Sequence, residues 1–104
     1  MNWKEWLGSG EVAKSIMQNE KVCYVTGSVD GLHKHHVFYG TANRKKSEQW
    51  GCWVWLRGDF HNMSDHGVHT DKELDLKIKQ ETQRRFEELY GHQKFMDEFG
   101  RSWL

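Results

Sequence analysis

The stretch His33-Lys34-His35-His36-Val37-Phe38 (HKHHVF) sets three imidazoles within four residues and then turns apolar. Successive side chains of an extended strand point to opposite faces, so adjacent histidines on a strand have different surroundings and different jobs. Alone, the stretch reads as an edge strand with its histidines toward water. The residues on either side change that reading.

Upstream, KVCYVTGSVDGLHKHHVFYG (21–40) holds two runs rich in β-branched and aromatic residues around the turn-forming cluster Gly27-Ser28-Val29-Asp30-Gly31. This pattern predicts a β-hairpin or knuckle leading into a strand over about 33–39. Downstream, GTANRKKSEQWG (40–51) is polar and basic, with Arg44, Lys45 and Lys46 in succession, and reads as a loop long enough to have a function. Cys52-Trp53-Val54-Trp55-Leu56 alternates large and small apolar residues, as a second strand covered on both faces does. Asp59 is placed to cap a short helix, FHNMSDH (60–66), which Gly67 stops.

Further out the pattern becomes helical. Thr70 and Glu73 form a capping box for a helix running to Gly91, with Leu74, Ile78, Phe86, Leu89 and Tyr90 at helical spacing. A short helix with Phe95, Met96 and Phe99 on one side follows. At the other end, GEVAKSIMQ (10–18) carries Val12, Ala13, Ile16 and Met17 at spacings that suit a short amphipathic helix capped near Ser9.

A length of 104 residues predicts one domain, 1–104, with room for one modest core. The 15 lysines and arginines balance 15 aspartates and glutamates, so an anionic partner must be met by a local basic patch rather than a global field. The opening MNWKEWLGSG lacks a basic segment followed by a long apolar one, and no run approaches bilayer length. No membrane association and a cytoplasmic location are expected. Cys23 and Cys52 are too few for a disulfide framework and are not a C-x-x-C pair, so reduced thiols are expected. With 6 Trp, 3 Tyr and 5 Phe, the core is expected to be aromatic.

Strand, loop, strand and short helix, with His35-His36 on the first strand and His61-Asn62 at the start of the helix, resembles the HNH nucleases of the ββα-metal class. Beyond that core, HHVFYGTANRKKSEQWG…HNMSDHGVH and ELDLKIKQ…YGHQKFMDEFGRSWL resemble small phage-encoded HNH-like proteins over almost the whole chain. The resemblance implies an α+β fold: a ββα-metal (HNH-like) core over about 22–69, an N-terminal helix, and a helical C-terminal extension over 70–104. It also implies DNA as partner and hydrolysis of phosphodiester bonds, in the host cytoplasm if a phage encodes the chain. By position, His36 would be the general base, with His35 and His61 as metal ligands. His66 is favoured as third ligand ahead of His69 and Asp65. Arg44, Lys45 and Lys46 would contact DNA phosphates.

The chemistry accounts for these residue types. Phosphodiester hydrolysis needs a water made nucleophilic and a cation to offset charge on the phosphate and the leaving oxygen. The ion would be Mg, Mn, Ni or Zn, and imidazole ligands lean toward a transition metal. The sequence also departs from the family. The middle Asn has no clean match, since Trp53-Val54-Trp55 precedes Leu56. The usual C-x-x-C pairs read Cys23…Thr26 and Arg57…Phe60, so no structural zinc is expected, and the tryptophans of WGCWVWL with Phe60 would pack in its place.

Other readings stay open. A chain that dropped its zinc ligands can keep the scaffold without catalysis, binding nucleic acid or inhibiting a host or phage protein. Phe95, Phe99 and Trp103 can pack on the body or on a second copy, leaving monomer or homodimer. Trp50, beside the basic segment, is a candidate base-stacking platform.

Overall fold

The computed structural model describes residues 14–58 and 71–104. Among these, a two-stranded antiparallel sheet packs with three helices in an α+β arrangement. In chain order they are β1 (Leu32–His36), α1 (Thr41–Trp50), β2 (Trp53–Arg57), α2 (Lys72–Tyr90) and α3 (His92–Phe99). No helix among the described residues is long and apolar enough to cross a membrane.

The strands pair with Leu32 opposite Arg57 and His36 opposite Trp53. β1 stops sooner than its apolar tail suggested. Val37 N–H still reaches the Cys52 carbonyl at 3.0 Å. Phe38, wholly buried, instead gives its N–H to Ser47 Oγ at 3.1 Å and takes that hydroxyl's proton on its carbonyl at 2.7 Å.

Ser47 belongs to α1, which occupies the segment expected to be a loop. Ser47 is the only buried residue of this helix, so the apolar periodicity that marks most surface helices is missing. The helix rests on propensity instead: Ala42, Arg44, Lys45, Lys46, Glu48 and Gln49 all favour it. Gly51 ends it in the left-handed region (φ 73°), and both Gly51 and Cys52 donate to the Ser47 carbonyl.

The residues expected to form an amphipathic helix over 10–18 are not helical over their described part, 14–18. Their side chains serve the outer edge of β2. Ser15 Oγ donates to the Trp53 carbonyl at 2.6 Å and accepts from the N–H of Met17 and Gln18. Gln18 Oε1 accepts from Trp55 N–H at 2.8 Å, and Tyr24 N–H donates to the Trp55 carbonyl at 2.7 Å. Arg57 N–H meets Cys23 Sγ at 3.4 Å. These contacts satisfy β2's outward backbone groups without a third strand, which closes an edge that other chains could otherwise join. The expected knuckle is the turn that carries Cys23, held by Gly27 N–H on the Cys23 carbonyl and Cys23 N–H on the Ser28 carbonyl, both 2.8 Å.

The C-terminal helices cover the sheet. Asp71, not Thr70, caps α2 through Oδ1 on Leu74 N–H at 3.0 Å; Thr70 lies outside the described residues. α2 ends at Gly91 as expected and buries Ile78, Thr82, Gln83 and Phe86, while Leu89 and Tyr90 stay exposed. Phe38, Phe86, Phe95 and Phe99 form one aromatic cluster, with Phe38 4.7 Å from both Phe99 and Trp103. Each such pair adds about 0.5–1.5 kcal/mol beyond area burial. Gln83 and Gln80 clamp the last residues, bonding Trp103 N–H and carbonyl, each at 2.8 Å.

Candidate functional site

The register separates the two adjacent histidines. Lys34 and His36 lie on one sheet face with their partners Trp55 and Trp53; His35 lies on the other with Val54, itself wholly buried. The alternation expected for HKHHVF therefore holds, and the two imidazoles have different surroundings.

On the first face Glu48 reaches from α1. Its Oε1 bonds His36 Nε2 and its Oε2 pairs with Lys34 Nζ at 3.0 Å. Burial by itself would raise the Glu48 carboxyl, but the hydrogen bonds and charges of His36 and Lys34 outweigh it and hold its pKa below the ordinary value. An ionised carboxylate only accepts, so the His36 Nε2 that it meets is the donor, and Nδ1 is the other ring nitrogen. That is the arrangement of an oriented base. Aromatic rings flank it: Lys34 Nζ sits 4.3 Å from the Trp53 ring centre, Lys21 Nζ 4.6 Å from that of Trp55, and the two indoles meet edge to face at 5.4 Å.

On the second face His35 is buried, 2% exposed. Its ring lies 6.1 Å from that of Tyr39, whose hydroxyl donates to Asp75 Oδ2 at 2.9 Å. Lys79 pairs with the same oxygen at 2.9 Å and covers the Tyr39 ring at 4.2 Å. Burial first, and the Asp75 carboxylate second, push the Tyr39 phenol up against the opposing pull of Lys79. Asp75 Oδ1 is buried and has no hydrogen-bond partner among the described residues.

Of the residues singled out in the sequence, His35 and His36 are described; His61 and His66, with Asn62, Asp65 and His69, lie outside the described residues. No group of three or more His, Cys, Asp or Glu side chains among the described residues is arranged to hold a metal ion. Arg44 and Lys45 are exposed on α1. Lys46 points its ammonium at the Glu98 carbonyl in the last turn of α3, where a cation is favourable, while Trp50 Nε1 donates to the Glu98 carboxylate at 2.9 Å. Trp50 packs on Phe86 and Tyr90 at 5.5 and 5.1 Å, a core-edge role rather than an open platform. Glu48 and Asp75 were missed by sequence reasoning. Reading 41–50 as a helix would have been needed to bring Glu48 back over β1.

The chain matches no family model, no curated protein and no solved structure.

Proposed function

We propose that this chain is an HNH-like, metal-dependent DNA endonuclease or nickase, of the kind phages encode, hydrolysing phosphodiester bonds. The observation that carries the reading is the His36–Glu48 pair on an antiparallel ββ unit. In this reading β1, β2 and the residues after Arg57 form the ββα core, and α1 fills the place of the connecting loop. Glu48 holds the His36 imidazole through Nε2, so Nδ1 is the atom that removes a proton from the attacking water.

His35, His61 and His66 would hold a divalent ion, which supplies charge neutralisation at the phosphate and the leaving oxygen. Of these, His35 is the one among the described residues; its imidazole suits a transition metal, and it faces away from His36 across the sheet. Arg44 and Lys45, exposed on α1, are available for phosphates, and Lys46 only if it leaves Glu98.

A second reading, a non-catalytic scaffold that binds nucleic acid or inhibits a host protein, is favoured by one observation: His36 and Lys34 are already paired to Glu48. Two measurements separate the readings. Purified protein incubated with supercoiled plasmid and Mg, Mn, Ni or Zn gives nicked or linear product under the first reading and none under the second. Calorimetry with Mn or Zn gives binding that His61→Ala abolishes under the first; absence of any binding sinks it.

A further inference from the structure

We propose that the groove between residues 14–21 and the Lys34–Trp55 face of the sheet binds a single strand of DNA. Lys14, Lys21 and Lys34 line it together with Asn19, Glu20 and Trp55. The groove exists because Ser15 and Gln18 are bonded to the edge of β2, which holds the segment over the sheet without making it a third strand.

The chemistry of the lining favours a single strand. Trp55 is half-buried, meets Trp53 edge to face at 5.4 Å, and has the ammonium of the exposed Lys21 4.6 Å from its ring centre. When the exposed Lys21 turns its ammonium to a phosphate it leaves the indole face to the neighbouring base, the pair of contacts that a single strand offers. A duplex keeps its base faces stacked on one another, so an indole in a groove meets them only in an unpaired strand. Charge agrees: with Lys34 and His36 taking up the Glu48 carboxylate, Lys14 and Lys21 remain in the lining against Glu20.

Lys34 and His36 share one sheet face, so a strand held by Lys34 lies on the side where His36 and Glu48 meet. As the substrate form of a nuclease this rests on the reading above; binding without metal does not.

The test is fluorescence anisotropy in EDTA with a labelled oligothymidylate and a duplex of equal length. The single strand should bind about tenfold tighter or better. Lys14→Gln with Lys21→Gln, both exposed positions, should flatten the slope of log affinity against log salt by roughly 1.4, two phosphate contacts' worth, whereas Lys72→Gln with Lys94→Gln leaves it unchanged. Trp55→Leu should lose roughly 5- to 150-fold, the worth of one stacked base. Equal or tighter duplex binding, or a salt slope unaltered by the Lys14 and Lys21 changes, overturns the proposal. Single-strand binding by a protein that cuts no plasmid leaves the groove standing and removes the nuclease; cleavage with no single-strand binding does the reverse.

Discussion

Glu48, on α1, holds His36, on β1, through the imidazole Nε2 and at the same time pairs with Lys34 two residues earlier on the same strand face. One carboxylate thus fixes the helix to the strand and orients the proposed base.

The first prediction concerns acid stability. The Glu48 pKa is depressed in the fold, so its contribution is fully present above the unfolded value, about 4.3, and is lost as pH falls through the folded value. Glu48→Gln should lower the urea midpoint at neutral pH and show a shallower loss of stability below about pH 4.3 than the parent. Parallel pH profiles for the two proteins contradict this.

Ser47 and Phe38 give a second prediction. Ser47→Ala removes the hydroxyl that serves both the N–H and the carbonyl of a fully buried residue. An unsatisfied buried group costs about 1–3 kcal/mol. Equilibrium urea unfolding should therefore show a loss of about 2 kcal/mol or more, while an unchanged midpoint would mean that the backbone finds other partners.

Two glycines with similar backbone angles should respond differently to alanine. At Gly51 (φ 73°) a Cβ would stand 2.1 Å from the Lys14 carbonyl oxygen; at Gly100 (φ 77°) it meets nothing within 4 Å among the described residues. Gly100→Ala should cost only the left-handed penalty, about 1–2 kcal/mol. Gly51→Ala should cost more, and should also displace the Ile16 N–H bond to the Gly51 carbonyl, visible as faster amide exchange at Ile16.

The two free cysteines should differ in reactivity. Burial pushes the Cys52 thiol up. Cys23 is also raised by burial, but the Thr26 side chain and the N–H groups of Arg57, Thr26 and Val25 outweigh this and set it below the ordinary thiol value. Both thiols are buried, so reaction waits on local opening; since the thiolate is the nucleophile, limited iodoacetamide treatment followed by peptide mass mapping should find Cys23 modified first. Modification of Cys52 first contradicts the assignment.

These positions also show what the sequence could convey. β2 and α2 were legible because Trp53-Val54-Trp55-Leu56 and the Ile78–Phe86 spacing carry strong periodicity, and the opposite facing of His35 and His36 follows from strand geometry alone. α1 was not legible, because it buries only Ser47, and with it went Glu48. The segment 14–18 misled in the other sense: Ile16 and Met17 have helical spacing, but Ser15 and Gln18 bind the β2 edge, a tertiary demand that local periodicity does not register.

The nuclease reading turns on His36. The decisive measurement is the rate of supercoiled-plasmid cleavage by His36→Ala at saturating Mn, with Mn affinity determined alongside. Loss of an oriented general base should lower the rate by about 10²–10⁴ with metal binding retained. Cleavage at the parent rate by His36→Ala, or no cleavage by the parent with any of the four metals, contradicts it.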